Sequence, residues 1–250
     1  MTRWPEEPDL DAVNVLLCDA DGTLFPSEEP AFEASAVVTN RLLADLGIAD
    51  RFSAAELQAL TNGKNFRASA SDLARHYGRQ LAPEALEWWV AEEKAAVTRH
   101  LGDVLTPDHR VTDALTALGD HFVLAIVTSS AATRLDACLE ATELSELFAR
   151  ERRFSAEDSL PRPVSKPDPA VYAHAGRVLG IDAHEGLAIE DSVNGTLSAV
   201  AAGFATVGTV QFVPAKERST RVADLRRAGA VAVLEDWADL VPAPALSARP

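Results

Sequence analysis

Short apolar runs rich in β-branched residues alternate with helical patterns along this chain, and no other feature restricts its fold as strongly. An alternation of this kind is typical of an α/β fold with a mostly parallel sheet, in which helices connect the strands. We therefore predict an α/β architecture. The strand-like runs are residues 13–18, 122–127, 187–189, 204–207 and 230–234, with a weaker candidate at 150–154.

The first two predicted strands are separated by about 100 residues, which is far longer than an ordinary crossover connection. The intervening sequence has amphipathic helical patterns that are separated by glycines. We predict a helical domain at 27–103 that is inserted into a core domain formed by 1–26 and 104–241, with Gly102 as the hinge on the return. The tail, 242–250, is rich in Pro, Ala and Ser, and we expect it to be disordered.

Composition excludes several classes of function. The 250 residues include 38 acidic and 23 basic side chains, for a net charge of −15. A field of this sign repels nucleic acid and anionic membranes, so we expect neither as a partner. The uncharged stretch 196–215 contains two glycines and a proline, which a membrane span would disfavour. Only Cys18 and Cys138 occur, and buried free thiols fit a reducing, cytoplasmic compartment.

Two aspartates follow the first predicted strand directly. Asp19 and Asp21 are two residues apart, so in an extended chain their side chains point to the same side. They would face the crevice at the carboxyl end of the sheet, where open α/β folds bind ligands. Because adjacent carboxylates repel each other, the pair needs a cation or a shared proton. A simple turn at the end of a strand is the alternative.

Three later segments carry polar residues that could contribute to the same site. Two of them follow predicted strands, and the third is a loop. Thr128 and Ser129 follow the second predicted strand, where hydroxyls and helix amides can cradle an anion or merely cap the helix. Lys166 lies beside Pro167 in a stiffened loop, which suits a phosphate contact, although a solvated lysine is commoner. Glu190 and Asp191 follow another strand and offer the oxygen ligands that Mg²⁺ prefers, although an acidic helix cap is also possible.

Taken in this order, the four segments resemble the haloacid dehalogenase-like superfamily of phosphohydrolases. That family carries a DxDGT motif, a Ser or Thr after the second strand, a Lys and an acidic pair, and all four are present from Asp19 to Asp191. The resemblance implies a Rossmann-like doubly wound parallel sheet. It also implies that the helical insert is a cap domain, like that of the subgroup with β-phosphoglucomutase and phosphoglycolate phosphatase.

The resemblance implies roles for these residues. Asp19 would be the nucleophile that takes the phosphoryl group as an aspartyl-phosphate. Asp21 would protonate the leaving oxygen and then activate water. The phosphoryl oxygens would be held by Thr128, Ser129 and Lys166. The ligands of Mg²⁺ would come from Asp19, Glu190, Asp191 and, through its main-chain carbonyl, Asp21.

The cap loop carries the candidate specificity residues. Lys64 and Arg67 lie in a segment that resembles the loop with which such caps contact substrate, and a basic surface at the start of a helix is the alternative. We expect a phosphatase that acts on a small phosphorylated metabolite such as a sugar phosphate, as a monomer or weak dimer. A mutase of the β-phosphoglucomutase kind and a non-catalytic phosphometabolite-binding protein are the alternatives. Pro26 replaces an aspartate that is common in helical-cap members.

Overall fold

The computed structural model describes residues 12–61 and 64–241, and the predicted disordered tail lies outside these ranges. The described chain divides into two compact units. One unit is the helical segment Ser27–Leu105, and the other is an α/β unit that combines the chain before Ser27 with the chain from Thr106 onward.

The α/β unit is built on a six-stranded parallel sheet with the order β3-β2-β1-β4-β5-β6. All five strongly patterned runs and the weaker sixth form strands, which confirms the predicted α/β class and its Rossmann-like doubly wound sheet. The strands are β1 (Val15–Cys18), β2 (Val123–Thr128), β3 (Arg153–Ser155), β4 (Gly186–Glu190), β5 (Ala205–Thr209) and β6 (Ala232–Leu234).

Nine α-helices occur in the described ranges. The first four belong to the helical unit and the other five to the α/β unit. They are α1 (Glu28–Asp45), α2 (Ala54–Thr61), α3 (Phe66–His76), α4 (Pro83–Val104), α5 (His109–Gly119), α6 (Ala132–Ala141), α7 (Ala170–Leu179), α8 (Val193–Ala201) and α9 (Ala215–Ala228).

Both faces of the central strands are covered. Every residue of β1 and β4 is buried, so these strands have no solvent-facing side and read as continuous apolar runs. On one face, Val15 and Leu17 pack in a single cluster with Val171 and Tyr172 of α7 and with Ala199 of α8. This packing holds α7 and α8 against one face of the sheet.

The helical unit has its own core. Helices α1 and α4 are its main packing pair, and its largest buried cluster includes Val38, Leu42 and Trp89. Our interpretation of Gly102 as a glycine that ends a helix was wrong, whereas its predicted role as a hinge stays a prediction. Helix α4 continues through Gly102 to Val104, because a single glycine weakens a helix interior by only about 1 kcal/mol.

Candidate active site

Three neighbouring strands bring the first site residues together. Cys18 of β1 lies level with Ile126 of β2 and with Ile189 of β4. The residues that come one position later, Asp19, Val127 and Glu190, therefore share one row at the carboxyl edge of the sheet. The sheet register, rather than any local feature of a loop, places the two carboxylates side by side.

Lys166 joins this row from the loop before α7. Its Nζ donates hydrogen bonds to Asp19 Oδ1 at 2.6 Å, to the Val127 carbonyl at 2.7 Å and to Glu190 Oε1 at 2.6 Å. The side chain of Lys166 is only 6% exposed. All three protons of the ammonium group are used, so the amine is held at a fixed point between two buried carboxylates.

The electrostatics of this cluster show a surplus of negative charge. Burial raises the pKa of the Asp19 carboxyl, and the neighbouring Lys166 ammonium opposes that rise. Burial also raises the pKa of Glu190, to about 7, against the same ammonium. Burial alone would lower the pKa of Lys166, but the carboxylates of Asp19 and Glu190 raise it above its usual value. One amine does not fully offset the acids around it, so a further cation would be favoured here.

The described residues include one group of acidic side chains that could hold a metal ion. A carboxylate oxygen from each of Asp19, Glu190 and Asp191 lies within 4.8 Å of the others, and all three residues are buried. Glu190 Oε2 is buried and accepts no hydrogen bond. Hard oxygen donors that remain short of positive charge suit Mg²⁺ or Ca²⁺ rather than a softer metal. The donor set therefore fits the metal that the sequence predicts.

Two glycines allow this crowding of carboxylates. At Gly22 φ is +82°, and a Cβ there would lie 2.4 Å from Asp191 Oδ2. At Gly195, in the first turn of α8, a Cβ would lie 1.7 Å from Glu190 Oε2. Any side chain at these positions would displace the carboxylates of the predicted metal site, so both glycines are requirements of the site itself.

Asp21 lies outside that group of oxygen atoms, and its carboxylate has other partners. Ser130 Oγ donates to Asp21 Oδ2 at 2.5 Å, and Arg134 Nη2 donates to Asp21 Oδ1 at 3.0 Å. The metal role that the sequence gives to Asp21 uses its main-chain carbonyl, and it stays a prediction. The side chain is one-quarter exposed, at 24%, which leaves it accessible for proton exchange.

The two predicted hydroxyl groups lie beside the same strand end. Thr128 is buried at the end of β2, and its Oγ1 accepts a hydrogen bond from the Ser130 amide at 3.0 Å. Ser129 Oγ accepts from the Lys166 amide at 3.2 Å. Both residues therefore support the loops that carry the site, and their predicted contact with a phosphoryl group stays a prediction.

The predicted specificity residues form ion pairs within the helical unit. Lys64 Nζ lies 2.7 Å from Asp72 Oδ2, and the Arg67 guanidinium bonds both oxygens of Glu87. Both basic side chains are about half exposed. Each is therefore partly neutralised by its partner, and its predicted contact with substrate stays a prediction.

Sequence reasoning missed several residues that touch this site. The Tyr172 hydroxyl donates to Glu190 Oε1 at 2.6 Å, and Arg221 Nη1 donates to the Asp191 carbonyl at 2.8 Å. Neither lies in a recognisable motif. Arg134 did carry a signal, because it is a basic residue in the first turn of α6, where the helix dipole disfavours positive charge.

No helix in the two described ranges is both long enough and apolar enough to pass through a membrane.

Comparison with known proteins gives the family. The model for haloacid dehalogenase-like hydrolases matches residues 13–203. Protein CbbY, encoded on a plasmid of Cupriavidus necator, is 31% identical over 212 residues, which cover 79% of this chain and 78% of that protein.

Solved structures share the fold of this chain. A mutant of CbbY from Rhodobacter sphaeroides in complex with xylulose-1,5-bisphosphate has a TM-score of 0.70 at 22% identity, covering 94% of this chain and 99% of its own. A hydrolase from Deinococcus radiodurans with bound phosphate and sodium has a TM-score of 0.63 at 27% identity, covering 92% and 93%. This chain belongs to the haloacid dehalogenase-like hydrolase family and is an enzyme of the phosphatase type.

Proposed function

We propose that this enzyme is a Mg²⁺-dependent phosphatase that hydrolyses a small phosphorylated metabolite, such as a sugar phosphate, through an aspartyl-phosphate on Asp19. The observation that carries the proposal is the pairing of Asp19 with Lys166 at the carboxyl edge of the sheet, with Asp21 two residues further on. A protein that only binds a phosphometabolite needs no such nucleophile. The two buried free thiols support a reducing, cytoplasmic location.

The reaction follows from these side chains. An Asp19 carboxylate oxygen attacks phosphorus, the ester P–O bond breaks, and the leaving oxygen takes the proton of Asp21, which enters this step as the carboxylic acid and leaves it as the carboxylate. Asp21 then takes a proton from water, whose oxygen attacks the phosphorus and regenerates the Asp19 carboxylate with release of inorganic phosphate. Thr128 and Ser129 supply hydroxyls that orient the phosphoryl oxygens.

Charge is the main obstacle to the first step. A carboxylate that approaches a phosphate dianion meets repulsion of about 4 kcal/mol for each pair of unit charges at 4 Å and an effective dielectric of about 20. Two such pairs correspond to about six decades of rate. The Lys166 ammonium offsets part of this repulsion. Mg²⁺ held by oxygens of Asp19, Asp21, Glu190 and Asp191 would supply the rest by neutralising charge on the phosphoryl group.

Product analysis tests the proposed function. Purified enzyme with Mg²⁺ is incubated with a panel of phosphometabolites that includes hexose monophosphates, and both inorganic phosphate and sugar isomers are measured. We expect net release of phosphate from monophosphates without a bisphosphate activator. Interconversion of sugar phosphate isomers that requires a sugar bisphosphate and outpaces phosphate release would instead identify a mutase.

Removal of the metal is expected to abolish turnover. EDTA treatment should stop phosphate release, and Mg²⁺ should restore it, whereas Ca²⁺ should restore it poorly because it accepts looser coordination. Mg²⁺ should also raise the thermal midpoint of the wild-type protein, because a ligand that binds only the folded state stabilises it. Asp191→Asn should lose that thermal shift. Full activity of the metal-stripped enzyme would contradict the metal assignment.

A further inference from the structure

The carboxylate of Asp21 is held at both of its oxygens by one short segment of chain. Ser130 Oγ bonds one oxygen at 2.5 Å, and Arg134 Nη2 bonds the other at 3.0 Å. The two donors lie four residues apart, across the start of α6. Because each oxygen has its own donor, both the position of the carboxylate and the rotation of its plane are defined.

The segment that carries these donors is itself anchored. The Ser130 amide donates to Thr128 Oγ1 at 3.0 Å, and the Ser130 carbonyl accepts from Ser155 Oγ at 2.8 Å. The amide of Ala132, at the start of α6, donates to Asp158 Oδ2 at 2.7 Å. The hydroxyl that contacts Asp21 therefore projects from a backbone that is fixed on both sides.

The stability of α6 does not account for an arginine at position 134. A positive side chain in the first turn of a helix opposes the helix dipole, at a cost of about 0.3–1 kcal/mol. The Arg134 side chain is nevertheless folded down onto Asp21 and is only 27% exposed. What the position of Arg134 in the first turn of α6 does provide is the contact with Asp21.

Asp21 lies near other acidic side chains, so a contact with a positively charged side chain helps to fix its position. Asp19, Glu190 and Asp191 already contribute the oxygens of the predicted metal site, and Lys166 lies between the first two. This group has more negative than positive charge, so a fourth carboxylate two residues from Asp19 is repelled by it, and the charge of Asp21 raises the pKa of Asp19 further. Ser130 and Arg134 supply donors to both oxygens of Asp21, and the positive charge of Arg134 offsets this repulsion, so the carboxylate is held close to the cluster.

We propose that Arg134 and Ser130 are positioning residues that hold the Asp21 carboxyl group beside the acidic cluster, against its negative charge, and keep it aimed at the leaving oxygen and the attacking water. This inference rests on the proposed phosphatase function. It predicts that loss of Arg134 impairs proton delivery to the leaving group. The damage should therefore be largest for substrates whose leaving group departs only with a proton.

Two substrates separate this effect from a general loss of activity. Glycerol phosphate releases an alkoxide that must be protonated, whereas p-nitrophenyl phosphate releases a phenolate that leaves without a proton. The ratio kcat/KM reports the steps up to phosphoenzyme formation, so it isolates the acid step. It is measured for wild type, Arg134→Met, Arg134→Lys and Ser130→Ala. The matched control is Arg150→Met, which removes the same charge from a side chain that is 81% exposed.

We expect Arg134→Met to lower kcat/KM by about tenfold or more for glycerol phosphate and by less than about threefold for p-nitrophenyl phosphate. Arg134→Lys should recover part of the loss, and Ser130→Ala should show a smaller loss with the same dependence on the leaving group. Arg150→Met should match wild type with both substrates. If Arg134→Met does not fold, the Lys and Ala variants carry the test.

Other patterns would overturn the inference. Equal losses with both substrates would make Arg134 a structural residue. A loss confined to KM, and seen only with a sugar bisphosphate, would make it a binding residue for a second anionic group of the substrate. If wild type and Arg150→Met release no phosphate from these substrates or from any member of the phosphometabolite panel, the proposed function fails and the inference fails with it. If they do release phosphate and Arg134→Met is unchanged, only the inference fails.

Discussion

Asp19→Asn should abolish phosphate release and phosphoenzyme formation while leaving the protein folded. The amide is nearly the same size as the carboxyl group but is a poor nucleophile. Loss of a covalent nucleophile lowers turnover by about 10⁴- to 10⁶-fold. Folding should be retained because burial already disfavours the charged form of Asp19, and Lys166 keeps its bonds to Glu190 and to the Val127 carbonyl. Steady-state phosphate release and the intact mass of acid-quenched enzyme would measure both effects.

Asp21→Asn is the matched comparison for this prediction, because it makes the same chemical change two residues away. It removes proton transfer rather than the nucleophile, so its expected loss is about 10²–10⁴-fold. Because the variant still has Asp19, it should form phosphoenzyme slowly and hydrolyse it slowly. Wild-type turnover by Asp19→Asn, or a phosphorylated species in that variant, would show that another residue is the nucleophile.

The sequence was sufficient to predict the sheet and the residues along its carboxyl edge. Five of the six strands were recognisable as short apolar runs, β3 was only a weaker candidate, and in a parallel sheet the residues that follow such runs meet at one edge. This is why Asp19, Glu190 and Asp191 could each be placed at that edge from their positions, whereas their assignment to one metal site came from the resemblance to the haloacid dehalogenase-like superfamily. The register that aligns Cys18 with Ile189 supports that assignment.

The features that the sequence did not predict depend on packing between elements that are distant in the chain. No local sequence pattern indicates that packing. Tyr172 reaches Glu190 because α7 packs against the sheet, and its sequence context is that of an ordinary buried aromatic residue. Arg221 reaches the Asp191 carbonyl from α9, thirty residues further along the chain. Gly102 was interpreted as the end of a helix, but interhelical packing of α1 with α4 carries the helix past it. Tertiary contacts override local preference in each case.

Lys166→Met should be the most destabilising of these substitutions. It removes the amine that lies between Asp19 and Glu190, both of which are buried, and leaves two carboxylates facing each other without their shared partner. Removal of one member of a buried ion pair lowers the free energy of unfolding by about 3–5 kcal/mol. Urea unfolding of the metal-free protein, followed by circular dichroism, would measure the loss. Phosphate release should also fall steeply, because the same amine offsets the charge of the phosphoryl group.

Lys216→Met provides the control within the same unit, because Lys216 forms an exposed ion pair with Glu217 and its side chain is 83% exposed. Surface pairs of this kind contribute little to stability, so this variant should unfold close to wild type. The double variant Lys166→Met/Glu190→Gln should recover part of the stability that Lys166→Met loses, because it removes one of the uncompensated carboxylates. If Lys166→Met loses no more stability than Lys216→Met, the bonds of Lys166 to Asp19 and Glu190 do not contribute to folding. The amine would then be retained for its charge toward the phosphoryl group alone.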